Sequence, residues 1–188
     1  MQPKVLIVLG SPRKNGNSAA LAAQVADGAR LVGAEVEAIY LNEMNLKPCQ
    51  ACGGCQKNTA PQCVIPDDMN ALYPKLQAAG GIVIASPIYF FNISAQTKIF
   101  IDRCFAVGTK QKNIFAGKKF ALILTYADPD PYLSGAVNAL RSFQDMCGYF
   151  NADIGGIIYG QAGGKGEIAG NKALLEKAFS VGKQLVAL

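Results

Sequence analysis

The chain contains no histidine. Without imidazole it has no Ser–His or Cys–His nucleophile and no mixed Cys/His zinc site. Charge is also scarce: 16% of the 188 residues are charged and 51% are hydrophobic, which excludes a disordered chain. The net charge of +5 includes no Lys/Arg block and no basic stretch interleaved with aromatics, so nucleic acid is not an expected partner. No apolar run approaches a membrane span, and Val5–Leu9 is too short for a signal-peptide core, so no membrane partner is expected and the default location is cytoplasmic. No repeat or linker divides the chain, and residues 1–188 read as one domain.

What is present is a regular alternation of strand and helix signals. Val5–Leu9 is a buried apolar strand. Ser18–Val32 places Leu21, Val25 and Ala29 on one helical face and stops at Gly33. Glu35–Leu41 alternates acidic and apolar residues, as an edge strand does. Asp67 reads as the N-cap of a helix to Ala79, Ile82–Ser86 as a second buried strand, and Ala95–Ala106 as a helix. Phe120–Thr125 and Asp153–Tyr159 complete the strands, while Leu133–Phe150 and Asn171–Val186 complete the helices. Five strands alternating with five helices imply an α/β doubly wound parallel sheet, and the edge character of the second strand favours the order 2-1-3-4-5. Ligands of such sheets sit beyond the carboxyl ends of the strands. Four loops should therefore converge there: 9–18, the long connection 42–66, 87–94 and 126–131.

The first of these, Leu9–Ser18, joins a strand to a helix start through Gly, Ser, Asn and one Arg. Small residues let backbone N–H groups approach an anion, the helix N-terminus adds partial positive charge, and Arg13 offers a planar fork. The loop fits neither G-x-G-x-x-G nor the Walker pattern, and it also serves as a plain polar connection with Ser18 as N-cap. Pro87–Asn92 supplies Ile, Tyr and two Phe with backbone donors, chemistry that suits a flat heteroaromatic ring or an aromatic plug over the sheet end.

Three motifs together, Gly10-Ser11-Pro12-Arg13 with Asn17-Ser18, Ser86-Pro87-Ile88-Tyr89, and Lys98-x-x-x-Asp102-Arg103, make the chain resemble the flavodoxin-like NADPH-dependent FMN reductase family. The resemblance implies FMN as cofactor, its phosphate held by Ser11, Arg13, Asn17 and Ser18. It implies ring and ribityl contacts from Pro87, Ile88, Tyr89, Phe90 and Asn92. It also implies a homodimer or homotetramer, to which an apolar Phe90-Phe91 tip would contribute.

Six cysteines are present, four of them within fifteen residues. Cys49-x-x-Cys52-x-x-Cys55, followed by Cys63, can present thiolates to a [4Fe–4S] cluster, and Gly53-Gly54 gives the backbone freedom to wrap one. A cluster-free thiol loop and a zinc site remain the alternatives. The compact motif resembles the iron–sulfur flavoprotein branch of the same family. Cys104 and Cys147 are expected to be core residues. The resulting expectation is a flavoprotein that passes electrons between a two-electron partner such as NAD(P)H and a one-electron carrier such as ferredoxin. No protein acid or base is assigned. The rivals are a cluster-free NAD(P)H-dependent FMN or quinone reductase and a non-enzymatic electron carrier.

Overall fold

The structure, a computed structural model, describes residues 2–186. Its strands are β1 (Lys4–Leu9), β2 (Glu35–Tyr40), β3 (Gly81–Tyr89), β4 (Asn92–Ile93), β5 (Lys119–Tyr126) and β6 (Asp153–Gln161). The parallel sheet runs β2-β1-β3-β5-β6. Counting only the parallel strands, this is the expected order 2-1-3-4-5. The helices are α1 (Asn17–Leu31), α2 (Gly54–Lys57), α3 (Met69–Ala78), α4 (Ala95–Arg103), α5 (Ala136–Phe150) and α6 (Lys172–Val186).

The apolar run of β1 is buried on both sides because helices cover both faces of the sheet. Leu6 and Val8 join the core beneath α3, α4 and α5, while Val5, Ile7 and Leu9 join the core beneath α1 and α6. β2 is mostly exposed, as an edge strand should be. α1 and α6 cross at backbone distance. A Cβ on Gly28 would lie 2.0 Å from the Phe179 carbonyl oxygen, and one on Gly182 would lie 2.1 Å from that of Val25.

Three local expectations are corrected. The stretch 87–94 is not a plain loop: β4 folds back on the end of β3, pairing Ile88 with Ile93 and Tyr89 with Asn92. The two-residue turn between them is Phe90-Phe91, with φ of 46° and 69°. Such a turn normally uses Asn and Gly, so nothing in these two residues announces it. The connection 42–66 is entered through a 3-10 turn at Leu41–Glu43 and contains the single helical turn α2. Asp67 accepts a hydrogen bond from the Met69 N–H and pairs with Arg103, but helix α3 starts at Met69 and Asp68, not Asp67, occupies its N-cap position.

Candidate functional site

The β1–α1 loop is bolted to the start of α4. The Gly10 N–H donates to the Ala85 carbonyl at 2.8 Å, and the Ser94 hydroxyl donates to the Gly10 carbonyl at 2.6 Å. A Cβ on Gly10 would lie 1.8 Å from Thr97 Oγ1, so only glycine allows this approach. Helix α1 then opens at Gly16 with no side chain capping it. Ser18 lies inside the helix and is not its N-cap. The first N–H groups of α1 are thus free of a side-chain acceptor, and they carry the positive end of the helix dipole.

A cavity of about 90 Å³ sits at this helix end. Ser11, Arg13, Asn17 and Ser18 form one wall, and Pro87, Ile88 and Tyr89 form the rim. Phe90 and Asn92 are not in it. Phe90 is 96% exposed at the hairpin tip, and Asn92 turns its carbonyl oxygen back to its neighbour's N–H and lines a separate cavity between α4 and α5. Of the third wall, sequence reasoning expected only the 126–131 loop, which contributes Ala127, and missed the rest. That wall consists of Thr125 and Ala127 from the end of β5, with Ala162, Gly163 and Lys165 from the loop after β6. The one signal for it is the glycine content of residues 160–170, which by itself names no ligand.

The Asn17 side chain is committed elsewhere. Its Nδ2 donates to the carbonyls of Ala162 and Gly164, at 3.2 and 2.8 Å, and its Oδ1 accepts from the N–H groups of Gly166 and Ile168, at 3.0 and 3.3 Å. Its backbone stays on the pocket wall, but its carboxamide has no capacity left for a ligand. Ser11 Oγ accepts from the Arg13 N–H at 3.1 Å and keeps its own proton to donate.

The cysteine loop does not reach this pocket, contrary to the expected convergence. It turns onto α4 and α5 and forms a groove of about 760 Å³ that shares no lining residue with the cavity at α1. Cys49, Cys52, Cys55 and Cys63 all line that groove, opposite Ile101 and Phe105. Cys49 and Cys52 are exposed, Cys55 and Cys63 are buried, and all four are free thiols. Among the described residues, no three thiols or carboxylates stand together at metal-holding geometry. Ala51 and Gly53, on either side of Cys52, both have left-handed backbone.

Hydrogen bonds explain the loop's placement. Arg103, 1% exposed, grips Asp67, whose side chain is fully buried, through two contacts of 2.5 and 2.9 Å, and also donates to the Lys47 carbonyl at 2.7 Å. Burial alone would raise the Asp67 carboxyl; the hydrogen bonds from Arg103 and from backbone N–H groups overcome it and hold it below the usual carboxylate range. Lys112 ties α2 down by donating to the Cys55 carbonyl at 2.9 Å and to that of Asn58. Cys104 and Cys147 lie in the core as expected. Burial raises both thiols, Cys147 to about 12, so both stay protonated at neutral pH.

Residues 3–152 match the model of the family described as NADPH-dependent FMN reductase. The chain belongs to this family. The FMN reductase match ends before β6, so Ala162, Gly163 and Lys165 of the third wall lie outside it, while Thr125 and Ala127 lie within it. Among similar proteins, the "Iron-sulfur flavoprotein" of Methanosarcina thermophila is 34% identical over 65% of this chain and 62% of its own length. That of Archaeoglobus fulgidus is 29% identical over 97% of this chain and 78% of its own length. The chain therefore spans less than two thirds of the first of these relatives. The solved structure of an FMN-dependent NADH-azoreductase from Bacillus anthracis in complex with FMN superposes with a TM-score of 0.71 at 14% identity, covering 99% of this chain and 100% of that one. At that identity the likeness concerns the flavodoxin-like fold alone. No described helix is long and apolar enough to cross a membrane.

Proposed function

We propose that the chain is a single-domain FMN-binding oxidoreductase that exchanges electrons with NAD(P)H or a ferredoxin-like carrier, and that Cys49, Cys52, Cys55 and Cys63 hold a [4Fe–4S] cluster. The observation that carries the flavin reading is the cavity at the uncapped N-terminus of α1, sized for little more than a phosphate and walled by Ser11 and Arg13. Arg13 and the first N–H groups of α1 bind the phosphate, and the free proton of Ser11 Oγ donates to it. Pro87, Ile88 and Tyr89 form an apolar rim that orients the ring and keeps water from one face.

The donor set of the groove fits a cluster: four free thiols and no competing disulfide, on a loop whose backbone turns left-handed around Cys52. When bound, FMN takes up electron pairs and gives up single electrons, and a cluster carries single electrons. Arg103, Asp67 and Lys112 position the cysteine loop. Tyr89, Phe90, Phe91, Tyr132 and Leu133 leave a run of exposed apolar surface beside the rim, which supports a homodimer or homotetramer.

A second reading, a cluster-free NAD(P)H-dependent FMN or quinone reductase, is favoured by one observation: Cys55 and Cys63 are built into the hydrophobic core. Anaerobic purification, with FMN, iron and sulfide counted per chain, separates the two. Near-stoichiometric iron that is lost in Cys52→Ser and kept in Cys147→Ser supports the cluster. FMN bound without iron under strict anaerobiosis leaves the cluster-free reductase. Absence of NAD(P)H oxidation by a flavin-loaded protein, with electron exchange to ferredoxin retained, leaves a carrier.

A further inference from the structure

We infer that Lys165 is a second cation of the phosphate site, held there by the buried side chain of Asn17, and that the site is built for the dianion of a terminal phosphate monoester. The inference rests on the flavin-phosphate reading above. Asn17 is 9% exposed, and all four of its side-chain hydrogen bonds go to residues 162, 164, 166 and 168. These partners flank Lys165 on both sides, so its backbone is fixed relative to the first turn of α1. Lys165 and Arg13 both line the cavity, and no acidic residue does. Among the described residues neither side chain has a carboxylate partner. Two cations and the positive end of a helix thus face one small space without a counter-charge. Both side chains reach solvent, which screens their repulsion and leaves both charges available to a multiply charged anion that enters between them. A phosphate monoester carries about two negative charges near neutral pH and answers that description. Lys165 lies beyond the residues matched by the family model.

The test compares FMN with riboflavin, which has the same ring and ribityl chain but no phosphate. The full chain is stripped of flavin and titrated with each by fluorescence quenching. Lys165 is exposed, so Lys165→Ala should fold normally. It is expected to lose FMN affinity on the order of tenfold, the scale of one hydrogen bond to a charged group, with riboflavin affinity unchanged. Asn17→Ala should weaken FMN in the same selective way, and by clearly less when Lys165 is already alanine, since the second change then removes the support of an absent group. Unchanged FMN affinity in Lys165→Ala, or equal loss of riboflavin, overturns the role of Lys165. Full additivity of the two variants overturns the positioning role of Asn17. If Arg13→Ala also leaves FMN affinity untouched, the phosphate reading itself fails; if Arg13→Ala weakens FMN and Lys165→Ala does not, only the present inference fails.

Discussion

Replacing Asp67 by asparagine should cost more than any surface change in this chain. The pair it forms with Arg103 is bidentate and excluded from solvent, with side chains 0% and 1% exposed. Asp67 also accepts from the Lys47 and Met69 N–H groups, so one carboxylate closes both ends of the cysteine loop onto α4. The carboxamide introduced by Asp67→Asn would keep one acceptor oxygen and turn an NH2 group toward donors. Arg103 would be left as a buried cation, and its Nε already lacks a hydrogen-bond partner. Breaking a buried pair from one side costs about 3–5 kcal/mol. For a chain of this size each kcal/mol moves the unfolding midpoint by roughly 2–4 °C, so thermal unfolding of Asp67→Asn should occur about 6–20 °C lower. The double variant Asp67→Leu with Arg103→Met removes both charges and should recover most of the loss. Thermal unfolding followed by circular dichroism, with limited proteolysis to locate the first cleavage within 42–66, measures both effects. A shift for Asp67→Asn within that of a typical surface substitution, about 0.5 kcal/mol, would refute the reasoning.

The same carboxylate makes the fold sensitive to acid. Its folded form holds a proton less tightly than the unfolded chain, so the pair's stabilisation is complete above about pH 3.9 and is lost as pH falls through the lower folded value; urea midpoints measured across that range should show a shallower acid limb in Asp67→Asn. Gly182→Ala should lower stability by several kcal/mol, because its Cβ would meet the Val25 carbonyl at 2.1 Å and force α1 and α6 apart; a urea midpoint equal to wild type would contradict that close crossing. Replacing Phe90-Phe91 by Asn-Gly fits the left-handed turn, raising the melting temperature of the single chain while lowering the mass seen by light scattering. A mass unchanged from a wild-type oligomer would remove the hairpin tip from the interface.

The order of the sheet, its exposed edge strand and the candidate site, a cavity at the end of β1, were legible because each depends on local pattern: a continuous apolar run, an alternating one, and a polar loop before a helix. What escaped depends on residues far apart in sequence. Asn17 reads as a phosphate donor until its partners, 145 to 151 positions away, are known. Lys165 looks like one more surface lysine. The destination of the cysteine loop is set by Arg103, whose motif stands out in the sequence without its partner. The hairpin at Phe90-Phe91 hid because its turn residues run against local preference, held in place by pairing of Ile88 with Ile93 and by Asn138, whose Nδ2 donates to the Phe91 carbonyl at 3.2 Å.

The tie between Asn17 and the loop after β6 also orders events during synthesis. A ribosome finishes β1, the turn from β1 into α1 and every residue matched by the family model before it reaches residue 162. Until that segment emerges, the cavity lacks Ala162, Gly163 and Lys165, and the Asn17 side chain lacks its four partners. A message cut short after residue 152 would therefore yield a product that sequence comparison still places in the family, with its motifs intact, yet that cannot close its pocket. The pocket of this chain is complete only once the final strand has joined the sheet.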